Sequence, residues 1–362
     1  MNRRTFLKTT ATAAALAGPL GALAEEPVKP LNLAFTGCAH IHMAQFQSIL
    51  STCENVKVKY VWDVDAAREE KWAKEFSAKI ASGAGDEIFL DPSVAGIIIA
   101  SETDKHLDLA LAAAKAKKPV FIEKPLATNA KDAAAIADAI EKAGVTFNTG
   151  YVQRSSQHYR FVREQIAKGT FGKISDAYAA TWHNGSPEGW FDKEYRWMVD
   201  LKTAGFGALG DLGTHPLDLL MWLFGDVASV TAKTRSVTGK YGNCDEAGEA
   251  VVRFKNGVSG TIAASYADLT DPVTLKVTGT DAQAVVRENH LFFTCPKIEG
   301  ATGKKMWTKL PRPQQHPLNL FVDVLNGEKN VPLITVREAA ERVRVMEAIY
   351  QSVREQKLIT LA

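Results

Sequence analysis

The sequence has few cysteines and, beyond its N-terminal segment, no apolar run long enough to cross a membrane. The four cysteines are Cys38, Cys53, Cys244 and Cys295, and none lies in a CxxC pair or in a Cys/His spacing typical of a metal site. We therefore expect no metal site and interpret the cysteines as structural or free. Because a membrane-spanning helix needs roughly 18 consecutive apolar residues, we expect a soluble mature protein without a membrane span.

The chain also has almost no excess of charge of either sign. The formal net charge is +2, from 43 basic and 41 acidic side chains. The first 24 residues contain Arg3, Arg4 and Lys8 but no acidic residue, which leaves 40 basic against 41 acidic side chains in the remainder. A nearly neutral protein lacks the electrostatic signature of a polyanion-binding surface, so we expect no nucleic-acid partner.

The N-terminal segment predicts export. Residues 1–24 combine a basic start, a weakly apolar alanine-rich stretch and an Ala-Leu-Ala sequence that ends at Ala24, which is the layout of a signal peptide. The run RRTFLK, from Arg3 to Lys8, resembles the twin-arginine signal, whose pathway carries proteins that have already folded, often around a cofactor. We expect a periplasmic protein that the twin-arginine machinery exports; a basic cytosolic N-terminus is the alternative.

From Leu31 the sequence alternates β-rich runs with amphipathic, alanine-rich segments. The pattern predicts strands over 31–36, 56–63, 95–101, 119–125 and 145–151. It predicts helices over 65–76, 106–116 and 129–143, with Gly144 as a C-cap. Since neighbouring parallel strands need a crossover helix, residues 31–150 are predicted to form an α/β Rossmann domain with a doubly wound parallel sheet.

The regular alternation of β-rich and helical segments ends after Tyr151. A helix is predicted over 156–168 and a strand over 173–184, followed by several β-rich runs that turn at Asn256-Gly257 and at Gly279. A final helix is predicted over 335–356, where Thr335 and Glu338 have the spacing of a capping box. We expect residues 151–362 to form an α+β domain with a large, mostly antiparallel sheet.

The end of the first predicted strand has part of a dinucleotide-binding fingerprint. Gly37 follows that strand directly, where a tight turn lets backbone N–H groups reach a pyrophosphate. Ala39 and His42 occupy the second and third glycine positions, so the fingerprint is incomplete. Asp63 ends the second strand, where a carboxylate binds ribose hydroxyls and repels a 2′-phosphate. This favours NAD over NADP, and a helix-capping role for Asp63 or Asp65 is the alternative.

Two motifs carry the candidate chemistry. Glu123-Lys124-Pro125 ends an apolar run, and charged residues at the carboxyl end of a parallel strand lie where such sheets bind ligands. The glycine-rich stretch GALGDLGTH places Asp211 four residues before His215, on one face if the stretch is helical. A carboxylate beside a histidine orients it as a general base. A capping aspartate and an interface histidine are the alternative for an isolated pair.

These motifs resemble those of the Gfo/Idh/MocA oxidoreductases. SETDKHLDLALAAAKAKKPVFIEKPLA resembles the segment that leads into the family's EKP motif, and GYVQRSSQHYRFVREQIAKGTFGKI resembles its passage into the second domain. The resemblance extends from Leu31 to the C-terminus. It implies an NAD(P)-dependent enzyme that acts on CH–OH groups of inositols, sugars, sugar acids or nucleotide sugars, with Lys124 beside the nicotinamide. By the same analogy an exposed face of the second sheet implies a homo-oligomer.

The candidate site residues fall into three groups. The predicted catalytic residues are Lys124, Asp211 and His215. The predicted cofactor-binding residues, which follow the strands of the first domain or the family motifs, are Gly37, Cys38, Ala39, His40, Ile41, Asp63, Ser101, His106, Glu123, Lys124 and Gln153. The predicted substrate residues, whose aromatic faces and planar donors suit sugar rings, are Arg154, Trp182, His183, Arg196 and Trp197. Core packing or a surface role is the alternative for each substrate residue.

The hypothesis that follows is hydride transfer from a sugar C–H to nicotinamide. His215 takes the hydroxyl proton, Lys124 stabilises the developing alkoxide and Asp211 holds His215. Because an exported enzyme has no soluble nicotinamide pool, we expect a tightly bound NAD, recycled by a second substrate within each catalytic cycle. Recycling by oxidation, elimination and re-reduction of one glycoside would instead make it an NAD-dependent glycoside hydrolase. A catalytically silent sugar-binding protein is the alternative from another class.

Overall fold

A parallel sheet forms the N-terminal domain. The structure is a computed structural model that describes residues 30–270 and 273–361; the predicted signal peptide, 1–24, lies outside the described residues. The strands are β1 (Leu31–Cys38), β2 (Val56–Trp62), β3 (Lys79–Ile80), β4 (Val94–Ala100), β5 (Val120–Ile122) and β6 (Phe147–Thr149). They lie in the order β3-β2-β1-β4-β5-β6, which is the order of a doubly wound dinucleotide-binding sheet.

Helices cover both faces of this sheet. They are α1 (Met43–Ser51), α2 (Ala66–Phe76), α3 (Asp86–Leu90), α4 (His106–Lys115) and α5 (Ala130–Ala143). In the central strand β4, Ile97 and Ile99 pack into one core and Ile98 into the other, each with 0% exposure. Side chains alternate between the faces of a strand, so an unbroken apolar run supplies both layers. The predicted Rossmann architecture is confirmed.

The C-terminal domain contains an eight-stranded sheet in the order β13-β12-β11-β7-β10-β9-β8-β14. Its strands are β7 (Ile174–Trp182), β8 (Val227–Arg235), β9 (Ala247–Phe254), β10 (Ser259–Ser265), β11 (Leu275–Gly279), β12 (Gln283–Arg287), β13 (His290–Thr294) and β14 (Ile359–Thr360). Its helices are α6 (Gln157–Ala167), α7 (Gly185–Glu188), α8 (Leu201–Ala204), α9 (Ala208–Asp211), α10 (Thr214–Phe224) and α12 (Val336–Glu355). Helix α11 (Pro317–Leu325) lies within the predicted second domain, but it packs on the N-terminal sheet, where Leu318 and Phe321 join the core that contains Ile98. Only β7 and β10 pair in parallel among these strands, so the predicted mostly antiparallel sheet is confirmed.

One face of this sheet is packed and the other is open. Along β9, Ala250, Val252 and Phe254 are buried, whereas Glu249 and Val251 are exposed. This alternation is typical of an antiparallel sheet with helices on one side only.

Helix α12 connects the two domains. It begins with the predicted capping box, in which Thr335 accepts the N–H of Glu338 and the Glu338 carboxylate accepts the N–H of Thr335. The helix packs against α5 of the first domain and β8 of the second. Among the helices that the structure describes, none is both long and apolar enough to cross a membrane.

Candidate active site

The two predicted motifs meet in a buried ion pair. Lys124 follows β5, and its Nζ donates to Asp211 Oδ1 at 2.7 Å, across 87 positions of sequence. The exposed fraction is 3% for Lys124 and 7% for Asp211. The EKP motif and the glycine-rich stretch therefore form one site, at the carboxyl edge of the parallel sheet where such folds bind ligands.

Tyr266 holds the other oxygen of Asp211, with its hydroxyl donating to Oδ2 at 2.7 Å. Burial by itself raises the pKa of Asp211, but the Lys124 ammonium and these two hydrogen bonds outweigh it, so the pKa lies below its ordinary value. Burial and the Asp211 charge raise the pKa of Tyr266, which keeps its hydroxyl a donor. Sequence reasoning missed Tyr266, because no motif relates it to Asp211.

His215 lies beside this pair but is not held by Asp211. Its predicted position one turn from Asp211 required a continuous helix, whereas α9 ends at Asp211 and α10 begins at Thr214. Lys124 instead bonds Oδ1 of Asp211, and Tyr266 bonds its Oδ2. The Nδ1 of His215 is buried and makes no hydrogen bond with any described residue. The predicted role of Asp211 in orienting His215 is therefore corrected: Asp211 positions Lys124.

The charge state of His215 follows from its surroundings. Burial, followed by the ammonium of Lys124, lowers its pKa to about 3, which makes the imidazole neutral near pH 7. The ring of Tyr151 approaches it edge-on at 6.2 Å between centroids, and the Tyr151 hydroxyl lies 3.1 Å from Thr214 Oγ1. The site thus contains a neutral imidazole near a fixed ammonium group.

Asp245 and Tyr350 position the glycine-rich stretch. Asp245 Oδ2 accepts the N–H of Leu209, and its Oδ1 accepts the Tyr350 hydroxyl at 2.8 Å. That hydroxyl in turn accepts the N–H groups of Gly207 and Gly210, each at 3.0 Å. A Cβ on Gly207 would lie 2.3 Å from Asp245 Oδ1, so glycine is needed for this approach. Neither Asp245 nor Tyr350 was among the predicted residues.

The turn after β1 has the form that a dinucleotide-binding loop needs. Gly37 has φ +79°, and a Cβ there would lie 2.2 Å from Ser101 Cβ, so only glycine fits. Ala39 is buried in the turn with 2% exposure. His42, at the third fingerprint position, lies at the start of α1 and its Nδ1 is 3.0 Å from Glu123 Oε1. The His42 side chain therefore points to the EKP motif.

Glu123 is surrounded by the predicted cofactor-side residues. It has 0% exposure, and its Oε2 accepts the N–H of Lys124 at 2.9 Å. Burial favours its neutral form, but His40 and His42 more than offset burial and hold its pKa well below the ordinary value. Glu123, His40 and His42 bring possible metal-ligand atoms within 4.8 Å of one another. His42 Nδ1 and Glu123 Oε1 bond each other directly at 3.0 Å, and we assign no metal there.

The Asp63 carboxylate lies at the carboxyl end of β2 with 5% exposure. Its Oδ2 accepts the N–H of Cys38 at 2.6 Å, and its Oδ1 accepts the guanidinium of Arg68 at 2.7 Å. The same guanidinium donates to Glu102 at 2.7 Å. Asp65, rather than Asp63, caps α2 by accepting the N–H of Arg68. Asp63 is therefore free of the capping role and lies where a ribose would bind.

These residues fit a dinucleotide. The strand order, the Gly37 turn and the acid at the end of β2 match the requirements of the fold. Gln153 adds a buried Oε1 with no hydrogen bond to any described residue, while its Nε2 donates to Thr181 at 3.1 Å. Ser101 and His106 are buried behind the turn, where Ser101 donates to Glu102 O and His106 Nδ1 lies 3.3 Å from Leu126 O.

The predicted substrate residues lie in different places. The side chain of Arg154 bonds Asp218 at 2.5 and 2.9 Å and Glu338 at 2.9 Å, so its donors serve an internal network. Arg342 bonds the same Asp218 at 2.9 Å. The structure therefore favours the packing role for Arg154, and its prediction as a substrate ligand is corrected.

His183 and Tyr266 lie side by side for a topological reason. Strands β7 and β10 run parallel with Trp182 paired to Ser265, so the residues that follow leave the sheet at the same edge. The two rings stack at 5.1 Å with an interplanar angle of 13°. This places His183 next to the tyrosine that bonds Asp211, while Trp182 is half-buried at the end of β7.

Arg196 and Trp197 belong to the segment between α7 and α9. The Arg196 guanidinium lies over the Tyr241 ring at 5.3 Å. The Trp197 indole N–H donates to Ala39 O at 3.1 Å, on the turn after β1. Trp197 thus lies on the cofactor side. Together with Lys124 and Asp211 it lines a narrow cleft whose other walls include Thr103, Met198 and Phe206.

Comparisons with known proteins agree with this geometry. A model of the oxidoreductase family with an NAD-binding Rossmann fold matches residues 31–151, and the GFO/IDH/MocA C-terminal domain matches residues 159–285. Myo-inositol 2-dehydrogenase of Thermotoga maritima is 30% identical over 181 residues, which cover 49% of this chain and 51% of that protein. The scyllo-inositol 2-dehydrogenase (NAD(+)) of Bacillus subtilis is 25% identical over 240 residues, covering 65% and 67%. The match thus spans about half the length of the first relative.

Solved structures share the fold over nearly the whole described chain. Levoglucosan dehydrogenase in complex with NADH and L-sorbose has a TM-score of 0.78 at 18% identity, covering 92% of this chain and 99% of that one. Aldose-aldose oxidoreductase from Caulobacter crescentus, complexed with glycerol, has a TM-score of 0.76 at 19% identity, covering 92% and 100%. The two family models together match about two thirds of the sequence. The chain belongs to the Gfo/Idh/MocA family of oxidoreductases.

Proposed function

We propose that this protein transfers hydride between a hydroxyl-bearing carbon of a sugar, glycoside or polyol and a tightly bound NAD. The observation that carries the proposal is the buried Lys124–Asp211 pair at the carboxyl edge of the Rossmann sheet. Relatives named for inositols and levoglucosan support the substrate class. When bound, the nicotinamide supplies the hydride acceptor for oxidation and the donor for reduction.

Lys124 is the electrostatic group of this site. Its ammonium is 3% exposed and fixed by Asp211, so it reaches a substrate oxygen without having to reorganise. A preorganised positive charge in a water-poor site stabilises the negative charge that develops on a reacting hydroxyl oxygen. Asp211 and Tyr266 act through Lys124 by holding it in place.

His215 is the proposed proton acceptor. A general base must be unprotonated at the working pH, and a pKa of about 3 satisfies that condition across the neutral range. Such a base is weak, however, and takes a proton only from a hydroxyl that Lys124 has made more acidic. The Asp211 carboxylate favours the cationic form of His215 and so assists this transfer.

The arrangement around Asp63 supports NAD over NADP. The loop Gly37 to Ile41, Asp63 and Glu123 would hold the dinucleotide. Asp63 and Glu102 place two carboxylates beside the ribose position, with the single guanidinium of Arg68 between them. A 2′-phosphate would meet this net negative group, whereas ribose hydroxyls can donate to it.

Export and assembly complete the proposal. The twin-arginine sequence within residues 1–24 supports export to the periplasm after the cofactor has been loaded. Replacing both Arg3 and Arg4 with lysine should leave the protein in the cytoplasm, which cell fractionation would reveal.

The open face of the C-terminal sheet supports a homo-oligomer, and light scattering of the purified protein tests this proposal.

The decisive experiment starts with protein purified without added cofactor. Denaturation should release nicotinamide in a stoichiometric amount, identified by mass and absorbance. A panel of inositols, aldoses and glucosides should then change the absorbance of the bound nicotinamide. Glycoside cleavage without net reduction would favour the NAD-dependent hydrolase, and ligand binding without any turnover would favour a silent sugar-binding protein.

Lys118 offers a matched control for the role of Lys124. It is a second buried lysine, 8% exposed, and donates to the carbonyls of Asp91 and Val94. Lys124→Met should abolish turnover and retain nicotinamide, whereas Lys118→Met should retain turnover. Equal turnover in Lys124→Met and the wild type would refute the assignment.

A further inference from the structure

The segment between α7 and α9 crosses from the C-terminal domain to the cofactor side of the N-terminal domain. We define residues 190–206 as the strap. Its central part is a 3-10 helix, Arg196–Val199, followed by α8. Met198, Ala204 and Phe206 of the strap form walls of the cleft that contains Lys124 and Asp211. The strap is therefore part of the cleft and not a peripheral loop.

The strap is anchored firmly to its own domain. Phe191 is 1% exposed, and its ring lies 4.7 Å from that of Tyr266. Asp192 accepts the hydroxyl of Tyr241 at 2.9 Å. The Arg196 guanidinium covers the ring of the same tyrosine at 5.3 Å. Movement at the strap is thus resisted at its C-terminal-domain end.

Several contacts join the strap to the N-terminal domain, and α8 of the strap packs against residues 103–105. Trp197 donates its indole N–H to Ala39 O at 3.1 Å, and its ring lies 6.1 Å from that of His40. Glu194 pairs with Lys71 of α2 at 2.9 Å. At the far end, Gly205 has φ +83°, and a Cβ there would lie 2.6 Å from Thr128 Cα. The strap therefore spans the carboxyl edge of the sheet from α2 to the segment after the EKP motif.

Among the side-chain contacts, that of Trp197 is the stronger. Lys71 and Glu194 are 48% and 41% exposed, and an exposed ion pair of this kind contributes little because water and salt screen it. Trp197 is half-buried and bonds the carbonyl of Ala39, the second fingerprint position, where the backbone approaches a pyrophosphate. The contact therefore ties the strap to the part of the turn where a pyrophosphate would bind.

We propose that Trp197 is a cofactor-retaining residue, which clasps the strap to the turn after β1 and slows release of the dinucleotide. This inference rests on the proposed function, since it assumes that the crevice binds NAD. It assigns Trp197 to retention of the cofactor and not to recognition of the sugar. It also gives a structural reason for a cofactor that stays bound through repeated catalytic cycles.

The test is the dissociation rate of the dinucleotide. The protein is loaded with NADH and mixed with a large excess of NAD, and the loss of bound-NADH fluorescence gives the rate. Trp197→Phe removes the N–H donor and keeps a ring; Trp197→Ala removes both. We expect release about tenfold faster in Trp197→Phe, which corresponds to about 1.4 kcal/mol. Release should be faster still in Trp197→Ala.

Trp307 provides the matched control. Its indole N–H also donates to a backbone carbonyl at 3.1 Å, that of Lys309, and it packs among C-terminal-domain rings away from the cleft. Trp307→Phe should release NADH at the wild-type rate. If the wild type binds NADH and both Trp197 variants release it at the wild-type rate, the inference is wrong and the proposed function stands. If the wild type neither contains nor binds a dinucleotide, the proposed function fails, and the inference fails with it.

Discussion

Replacing Tyr266 with phenylalanine removes one hydrogen bond from the centre of the site. The Tyr266 hydroxyl donates to Asp211 Oδ2 at 2.7 Å, while Lys124 holds Oδ1 at the same distance. The remaining ring can keep its contacts with His183 and Phe191, at 5.1 and 4.7 Å between centroids. The variant therefore tests the hydrogen bond to a buried carboxylate with little change in packing.

The expected size follows from that bond. A hydrogen bond to a charged group contributes about 1.5–3 kcal/mol, so the free energy of unfolding at pH 7 should fall by that amount. At 1.36 kcal/mol for each pKa unit, the loss corresponds to an upward shift in the Asp211 pKa of about 1–2 units. Because the folded-state pKa of Asp211 is lowered, its stabilising effect is present above its ordinary pKa and is lost on acidification. The variant should lose it at a higher pH.

Urea unfolding over a pH series measures this loss. The free energy of unfolding of Tyr266→Phe should lie about 1.5–3 kcal/mol below that of the wild type at pH 7, and the difference should shrink only at pH values low enough to protonate Asp211. Tyr159→Phe is the control: its hydroxyl donates to Thr274 Oγ1 at 2.8 Å, and loss of that bond between uncharged groups should cost about 1 kcal/mol. Unchanged stability at pH 7 in Tyr266→Phe would refute the assignment of Tyr266 to Asp211.

Three further outcomes follow from the structure. His215→Gln should lower kcat by about 10²–10⁴-fold, the range for loss of a general base, with an unchanged yield of released nicotinamide; normal turnover would exclude that role. Burial lowers the pKa of His40 and His215 to about 3, so unfolding lets each bind a proton below its ordinary pKa near 6.5. The free energy of unfolding, measured by denaturant titration, should therefore fall as the pH drops from about 6.5 towards 3. Each histidine should contribute a fall of about 1.4 kcal/mol per pH unit, and no fall between pH 6.5 and 5 would contradict this prediction. Asp218→Asn leaves the buried guanidinium groups of Arg154 and Arg342 without their shared carboxylate. This substitution should lower the free energy of unfolding, measured with urea, by about 3–5 kcal/mol. A decrease under about 1 kcal/mol would show that the network is dispensable.

Local patterns predicted most of the regular structure. The strand predicted over 56–63 is β2, Val56–Trp62, and the helix predicted over 129–143 is α5, Ala130–Ala143. Each has a local cause, an apolar run for the strand and the Asn129 and Gly144 caps for the helix. Helix α1 was missed because it has only nine residues and His42 makes no side-chain capping bond. Strands β3 and β14, each two residues long, have no detectable pattern.

The site residues that could be predicted from the sequence are those that lie in recognisable motifs. Lys124 and Asp211 came from two motifs, but their direct pairing depends on tertiary structure that no spacing indicates. The relation of Asp211 to His215 was wrong because the sequence could not show that the helix breaks between them. Contacts such as Trp197 to Ala39, 158 positions apart, arise only when the two domains pack together.

Isotope transfer tests the proposed chemistry at its reacting atoms. Protein loaded with NAD would be mixed with inositols and aldoses deuterated at the carbons that bear hydroxyl groups, and the nicotinamide would be recovered by denaturation for mass analysis. We predict that at least one substrate delivers deuterium to the nicotinamide in the wild type, and that none does in Lys124→Met. Conversion of a substrate without deuterium in the nicotinamide, or transfer that persists in Lys124→Met, would contradict the proposed function.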